Sequence, residues 1–161
     1  MYGGSEHTRK LMDRYKHQQH RMQSPAHPQS GVAAAAVNER CGDAVELTVR
    51  LEPQPAAPGT GSEISSKVLE MQHHTVGCSI CQVSADFLCE TAVGRTLDEL
   101  TELAGRVRNW ILTPAAGTSN EPSASPVPEF PELELFSEMR GKKSRTRCFL
   151  LPWEAVEAIP R

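Results

Sequence analysis

The stretch Val45-Glu46-Leu47-Thr48-Val49-Arg50-Leu51-Glu52 decides the fold. Val45, Leu47, Val49 and Leu51 fall on one face, and Glu46, Thr48, Arg50 and Glu52 on the other. A period of two with one apolar face marks a strand buried on one side only. Such a strand needs neighbours in a sheet and a layer to cover its apolar face. Residues 53–62 hold three prolines and two glycines, too long a loop for a tight hairpin. Residues 64–72 then resume a looser strand pattern, which predicts antiparallel pairing with the first strand.

Working outward, residues 32–37 are small and apolar and read as a strand or an extended entry to the clear one. Further upstream, Leu11, Met12, Tyr15 and Met22 space as a loose helical stripe, which predicts a helix over 7–23. Two prolines within 24–30 end it. Downstream, Ser79 can cap a helix that Gly94 stops. Thr96 can cap a second helix reaching about Ile111, with Leu97, Leu100, Leu103, Val107 and Ile111 on one face and Asp98 and Glu99 suited to its first turn. Residues 113–128 carry four prolines among small residues and read as a loosely held loop. Residues 129–139 suit a short helix and 141–147 a basic turn. Pro152 suits the first turn of a last helix over 152–159. Strands first and helices later predict an α+β fold, a small antiparallel sheet with helices packed on one face. The expectation is a single domain over 1–161, with flexible loops at 53–62 and 113–128.

With 161 residues the chain can bury a core without disulfide staples. A net charge of -3 points away from nucleic acid and from anionic membrane as partners. No apolar run approaches the ~20 residues that span a bilayer, and the polar, His-rich start lacks the apolar region of a secretory signal. The expected location is therefore cytoplasmic. There, five cysteines (Cys41, Cys78, Cys81, Cys89 and Cys148) read as thiols, metal ligands or catalytic groups rather than disulfides.

Three of the five sit beside predicted element ends. Cys41 and Asp43 flank Gly42 just before the clear strand, and a glycine there lets both side chains turn to one point. Cys78 follows Gly77 at a strand-to-helix junction, where free amides favour a thiolate. Cys148 stands just ahead of the last predicted helix, after Lys142, Lys143, Arg145 and Arg147, all of which favour the thiolate. Three thiolates and a carboxylate suit zinc. The opposing reading is that each cysteine is a small core residue, and for Cys81 and Cys89, on the face of a helix, packing is preferred. The six histidines are also read as structural, His73 and His74 at a strand end and the rest in polar segments.

These motifs carry a resemblance. Cys41-Gly42-Asp43 before a strand, Gly77-Cys78-Ser79-Ile80 opening a helix, and Arg145-Thr146-Arg147-Cys148-Phe149-Leu150-Leu151-Pro152-Trp153 near the end are similar to the U-type iron–sulfur cluster assembly family, the IscU and NifU N-terminal group. Leu11-Met12-Asp13-Arg14-Tyr15-Lys16 resembles that family's first helix. The SufU-like branch is the most similar, because 70 positions separate Cys78 from Cys148. The histidine that usually precedes the last cysteine in the IscU branch is Arg147 here, and Cys81 stands where serine is usual.

The resemblance implies a zinc ion held by Cys41, Asp43, Cys78 and Cys148. It implies sulfur transfer from a pyridoxal-phosphate-dependent cysteine desulfurase of the SufS type, with other SUF assembly proteins as partners. Cys41, in a mobile glycine loop, is the implied acceptor. Arg145 matches the branch's arginine upstream of the last cysteine, and is read as pairing with Asp43, with the partner, or with solvent alone. The alternative is a scaffold on which a [2Fe–2S] cluster is built on the same residues and passed on. A closed structural zinc module, or a protein without metal, are the remaining readings.

Overall fold

The computed structural model describes residues 5–22, 31–40, 42–53, 66–114 and 125–160. The elements run α1 (Glu6–Lys16), β1 (Val32–Asn38), β2 (Asp43–Leu51), β3 (Val68–Val76), α2 (Ser79–Ala92), α3 (Leu97–Leu112), a 3-10 helix (Pro131–Met139) and α4 (Lys143–Glu157). The three strands form one antiparallel sheet in the order β1-β2-β3.

β2 is the central strand that its alternation predicts. Val45, Leu47 and Val49 are almost wholly buried, while Glu46, Thr48 and Arg50 are not. The strand also begins two residues earlier than the apolar pattern, at Asp43. Parity then places Asp43 on the face of Val45 and Leu47, the one covered by helices. β3 continues past residue 72 to Val76, so His73 and His74 lie inside a strand and not at its end. A register shift between Arg50 and Leu51 resets the facing set, leaving Val68 buried before the slip and Met71, His73 and Thr75 after it. Tertiary pairing with β2 outweighs the weak local preference of two histidines.

α2 and α4 cover the sheet, α2 against β3 and α4 against β1 and β2. α2 is buried on nearly every side, because the sheet, α1 and α4 surround it. Phe87 of α2 meets Phe130 and Phe136 edge-on, with ring centroids 5.2 and 5.9 Å apart. Phe149 of α4 continues the stack to Trp153, whose indole N–H donates to Ser84 Oγ at 3.0 Å. Cys81 and Cys89 are fully enclosed here as small apolar residues. Thr96 caps α3 with a reciprocal box: its side chain accepts from Glu99 N–H, and the Glu99 carboxylate accepts from Thr96 N–H.

Three sequence expectations change. α1 ends at Lys16, five residues after Leu11, its one buried residue. The chain then turns and bends, and Arg21 bridges His73 on the outer edge of β3. The 24–30 and 54–62 stretches lie outside the described residues, as do 115–124 of the proline-rich run. The end of that run is packed: Val127 is fully buried, and Ser125 Oγ donates to the carbonyls of Val127 and Phe130. Finally, the last helix starts at Lys143, and Pro152 lies in its interior. Proline there has no N–H to give to the Cys148 carbonyl four residues back. Burial of Phe149, Leu150, Leu151 and Trp153 against α2, α3 and the sheet offsets that loss.

Candidate metal centre

Asp43, Cys78 and Cys148 converge, each from a different element. One ligand atom from each lies within 4.8 Å of the others. Asp43 opens β2 on the helix-facing side. Cys78 is the N-cap residue of α2, with extended backbone and no side-chain capping bond, so its thiol is not committed to the helix start. Cys148 lies on the second turn of α4, not ahead of the helix, and its Sγ–H donates weakly to Ser144 O at 3.7 Å. Cys41 lies outside the described residues. Its flanks form the β1–β2 hairpin, where Gly42 N–H donates to Asn38 O at 2.9 Å and Gly42 takes φ +76°, the left-handed conformation that glycine was expected to allow.

Close packing between strands sets the carboxylate. Val76 pairs with Ala44, so Gly77 continues alongside Asp43. A Cβ at Gly77 would stand 2.7 Å from Asp43 Oδ1. Asp43 Oδ2 is buried with no hydrogen-bond partner. A carboxylate oxygen stripped of water and left without a donor is costly unless a cation takes it. Two thiols and a carboxylate, soft and hard donors together, match zinc and also match iron. The donor set and the orphaned oxygen therefore fit a metal ion.

The charge around Cys148 reverses one expectation. The cations of α4 were expected to favour its thiolate. Instead burial, followed by the Cys78 thiol and the Asp43 carboxylate, pushes the metal-free thiol up to about 12. The reason is position: Arg145 and Arg147 are exposed, while Cys148 faces two acids across the site. Among the described residues no ion pair joins Arg145 to Asp43.

A second polar group went unread in the sequence. Asp86 is fully buried in α2 and accepts from Arg14 Nε at 2.7 Å, from His20 N–H at 2.8 Å and from Gln19 N–H at 3.2 Å. His73 Nε2 stands 3.4 Å away, an ion-pair distance too long for a well-made hydrogen bond, and His73 Nδ1 meets Thr75 Oγ1 at 2.8 Å. Burial alone would raise Asp86, but these partners outweigh it and hold the carboxyl down at about 2. The network ties α1 and residues 19–20 to α2 and β3. The only hint in the sequence was Asp86 amid Val83, Ala85, Phe87 and Leu88. His73, read as structural, is structural, but as a buried member of this network. Burial and the Asp86 carboxylate push the Cys89 thiol well up, which disfavours the thiolate.

The profile of the NifU-like N terminal domain matches residues 6–109, from α1 through most of α3. The chain belongs to the NifU-like N-terminal domain family. The match takes in Cys41, Asp43 and Cys78 and stops before α4, so Cys148 joins Asp43 and Cys78 through the tertiary structure. Solved structures share the fold across more than nine-tenths of the chain. A hypothetical protein superposes with TM-score 0.69 at 23% identity, covering 96% of this chain and 97% of its own. A protein described as an iron–sulfur cluster assembly scaffold for the SUF system of Fervidobacterium islandicum gives 0.62 at 22%, covering 97% and 95%. The N-terminal part of a nitrogen-fixing NifU-like protein from Brucella abortus gives 0.63 at 20%, covering 91% and 86%. No curated protein matches the chain. Among the described residues, no helix of this family member is long and apolar enough to cross a membrane.

Proposed function

We propose that the protein works in iron–sulfur cluster assembly as a zinc-dependent sulfurtransferase. It accepts persulfide sulfur from a pyridoxal-phosphate cysteine desulfurase of the SufS type. The observation that carries this reading is the meeting of Asp43, Cys78 and Cys148 around the buried, unpartnered Asp43 oxygen. Membership in the NifU-like family supports the assembly role. Cys41 completes the ligand set as the fourth donor and is the acceptor.

Zinc, when bound, would supply charge that keeps these thiols deprotonated at neutral pH. The chain's own residues do the rest. The Cys41 thiolate attacks the outer sulfur of the donor's persulfide. A bond forms between Cys41 Sγ and that sulfur, and the donor's S–S bond breaks. The donor cysteine leaves as a thiolate, so no external oxidant or reductant is needed. Asp43, fixed by Gly77 and the β2 register, holds its place while Cys41 reacts.

Cys41→Ser should abolish the stimulation of alanine release that wild type gives a cysteine desulfurase, while Cys89→Ser should not. Stimulation by Cys41→Ser equal to wild type would sink the transferase reading. A second reading, a scaffold that carries a [2Fe–2S] cluster as cargo on the same residues, draws support from the scaffold description of the Fervidobacterium protein. It would show as a brown chromophore after purification without added metal, where the transferase gives one colourless zinc per chain.

A further inference from the structure

The transfer step leaves a neighbouring thiol unused. Cys78-Ser79-Ile80-Cys81 opens α2, so the ligand Cys78 has a second cysteine one helical turn further on. Cys78 is exposed at the N-cap, and its carbonyl accepts the first helical bond from Gln82 N–H at 3.1 Å. Cys81 lies in the first turn and is fully buried. No disulfide joins the two.

The helix start sets what this pair can do. Residues three apart on a helix carry Cβ atoms about 5–6 Å apart, and a disulfide closes at about 3.5–4.5 Å. Cys78 has extended backbone, φ -70° and ψ 165°, and no capping bond holds its side chain. An N-cap side chain in that conformation reaches toward the third residue of the helix, here Cys81. The pair therefore closes by a small movement at the cap, while Gln82 Nε2 anchors the junction by donating to Gly77 O at 2.9 Å.

Exposure divides the roles. Cys78 can meet a solute or a partner. Cys81 is sealed from both, and the thiol one turn back is held beside it at high effective concentration. Cys148 Sγ also lies within 4.8 Å of Cys78 Sγ, but it belongs to the metal set with Asp43, and Cys81 lies outside that set. Cys89, farther along α2, is equally enclosed and has no cysteine one turn away.

We propose that Cys81 is the resolving thiol of Cys78: sulfane sulfur delivered to Cys78 is released as sulfide when Cys81 closes a disulfide with it. In the first step the Cys78 thiolate attacks the outer sulfur of a persulfide. A bond forms from Cys78 Sγ to that sulfur, the donor's S–S bond breaks, and the donor leaves as a thiolate. Cys81 Sγ then attacks Cys78 Sγ. The Cys78–Cys81 bond forms, the bond to the sulfane sulfur breaks, and hydrosulfide leaves with the Cys81 proton as hydrogen sulfide. The two cysteines lose two electrons and the sulfane sulfur gains them, so one turnover needs no other oxidant or reductant. The product is the reduced form of sulfur that an iron–sulfur cluster contains. A dithiol reductant reopens the pair, and until then Cys78 is lost to the metal. The source of the sulfur rests on the transferase reading; the chemistry of the pair does not.

The test treats the full-length protein with glutathione persulfide under anaerobic conditions, then quenches by alkylation. Peptide mass mapping locates added sulfur and disulfides, sulfide is assayed, and a chelating dye reports zinc affinity. The variants are Cys81→Ala and Cys89→Ala, with circular dichroism as the check on folding and Cys81→Ser as a second replacement. Wild type should give a Cys78–Cys81 disulfide, one sulfide per disulfide, and zinc affinity at least about tenfold weaker until a dithiol is added. Both Cys81 variants should hold the extra sulfur on Cys78 at least about tenfold longer, and Cys89→Ala should match wild type. Loss of that sulfur from the Cys81 variants at the wild-type rate overturns the proposal, as does a Cys78–Cys148 disulfide in wild type. Resolution of glutathione persulfide without stimulation of a desulfurase removes the transferase reading and keeps the pair. Stimulation without a Cys78–Cys81 disulfide does the reverse.

Discussion

Gly77 and Asp43 lie in such close register that the carboxylate occupies the space of a missing side chain: a Cβ on Gly77 would sit 2.7 Å from Asp43 Oδ1 and 2.8 Å from Cγ. The contact is to the carboxylate itself, which is buried beside β3, so it cannot relax cheaply. Gly77→Ala should therefore lower zinc affinity by at least about tenfold while β2 and β3 stay paired. Competition with a zinc-chelating dye gives the affinity, and circular dichroism gives the fold. Unchanged affinity would show that Asp43 has another seat.

Removing ligands should separate the site from the core. Asp43→Ala, Cys78→Ala, Cys148→Ala and Cys41→Ala should each lose zinc on elemental analysis. Chelation of the wild-type metal should lower its melting temperature, because the donors come from distant segments. Cys81→Ser and Cys89→Ser should keep zinc. Both positions are fully buried, so a new hydroxyl should cost about 1–3 kcal/mol in denaturant melts. Zinc loss in Cys81→Ser would make that residue a ligand.

The Asp86 network predicts the acid limb of stability. The folded carboxyl titrates at about 2, and an unfolded one near 4. Its folded value is depressed, so its contribution is fully present above about pH 4 and drains away as pH falls toward 2. That contribution is roughly 2 kcal/mol. Asp86→Asn should lower stability at pH 7 and flatten the pH dependence between about 4 and 2. Parallel curves for variant and wild type across that window would assign the acid sensitivity elsewhere.

The proline-rich run should divide in two. Deleting residues 115–124 should leave zinc content and melting temperature near wild type, since their composition offers little apolar surface to bury. Val127 is wholly enclosed, so Val127→Ala should cost about 1–3 kcal/mol. A large loss of stability from the deletion would show that the segment packs on the domain.

Local pattern determined much of this protein. The alternation over 45–52 fixed the central strand and the identity of its buried face, because a period of two leaves one choice of side. Thr96 and Glu99 fixed the start of α3, since a capping box is closed within four residues. Cys41, Asp43, Cys78 and Cys148 were legible as candidates through short motifs at the ends of elements. The convergence of Asp43, Cys78 and Cys148 was implied by the family resemblance and by no local pattern. Cys148 was read ahead of a helix that begins at Pro152, whereas packing of Phe149 and Trp153 carries the helix through the proline and seats Cys148 on its second turn. The Asp86 network was likewise invisible, because its members lie up to 72 positions apart. The side of Asp43 followed from its parity with Val45. What it meets there, Gly77, Cys78 and Cys148, depended on the pairing of β2 with β3 and on the docking of α4, long-range contacts that no local pattern encodes.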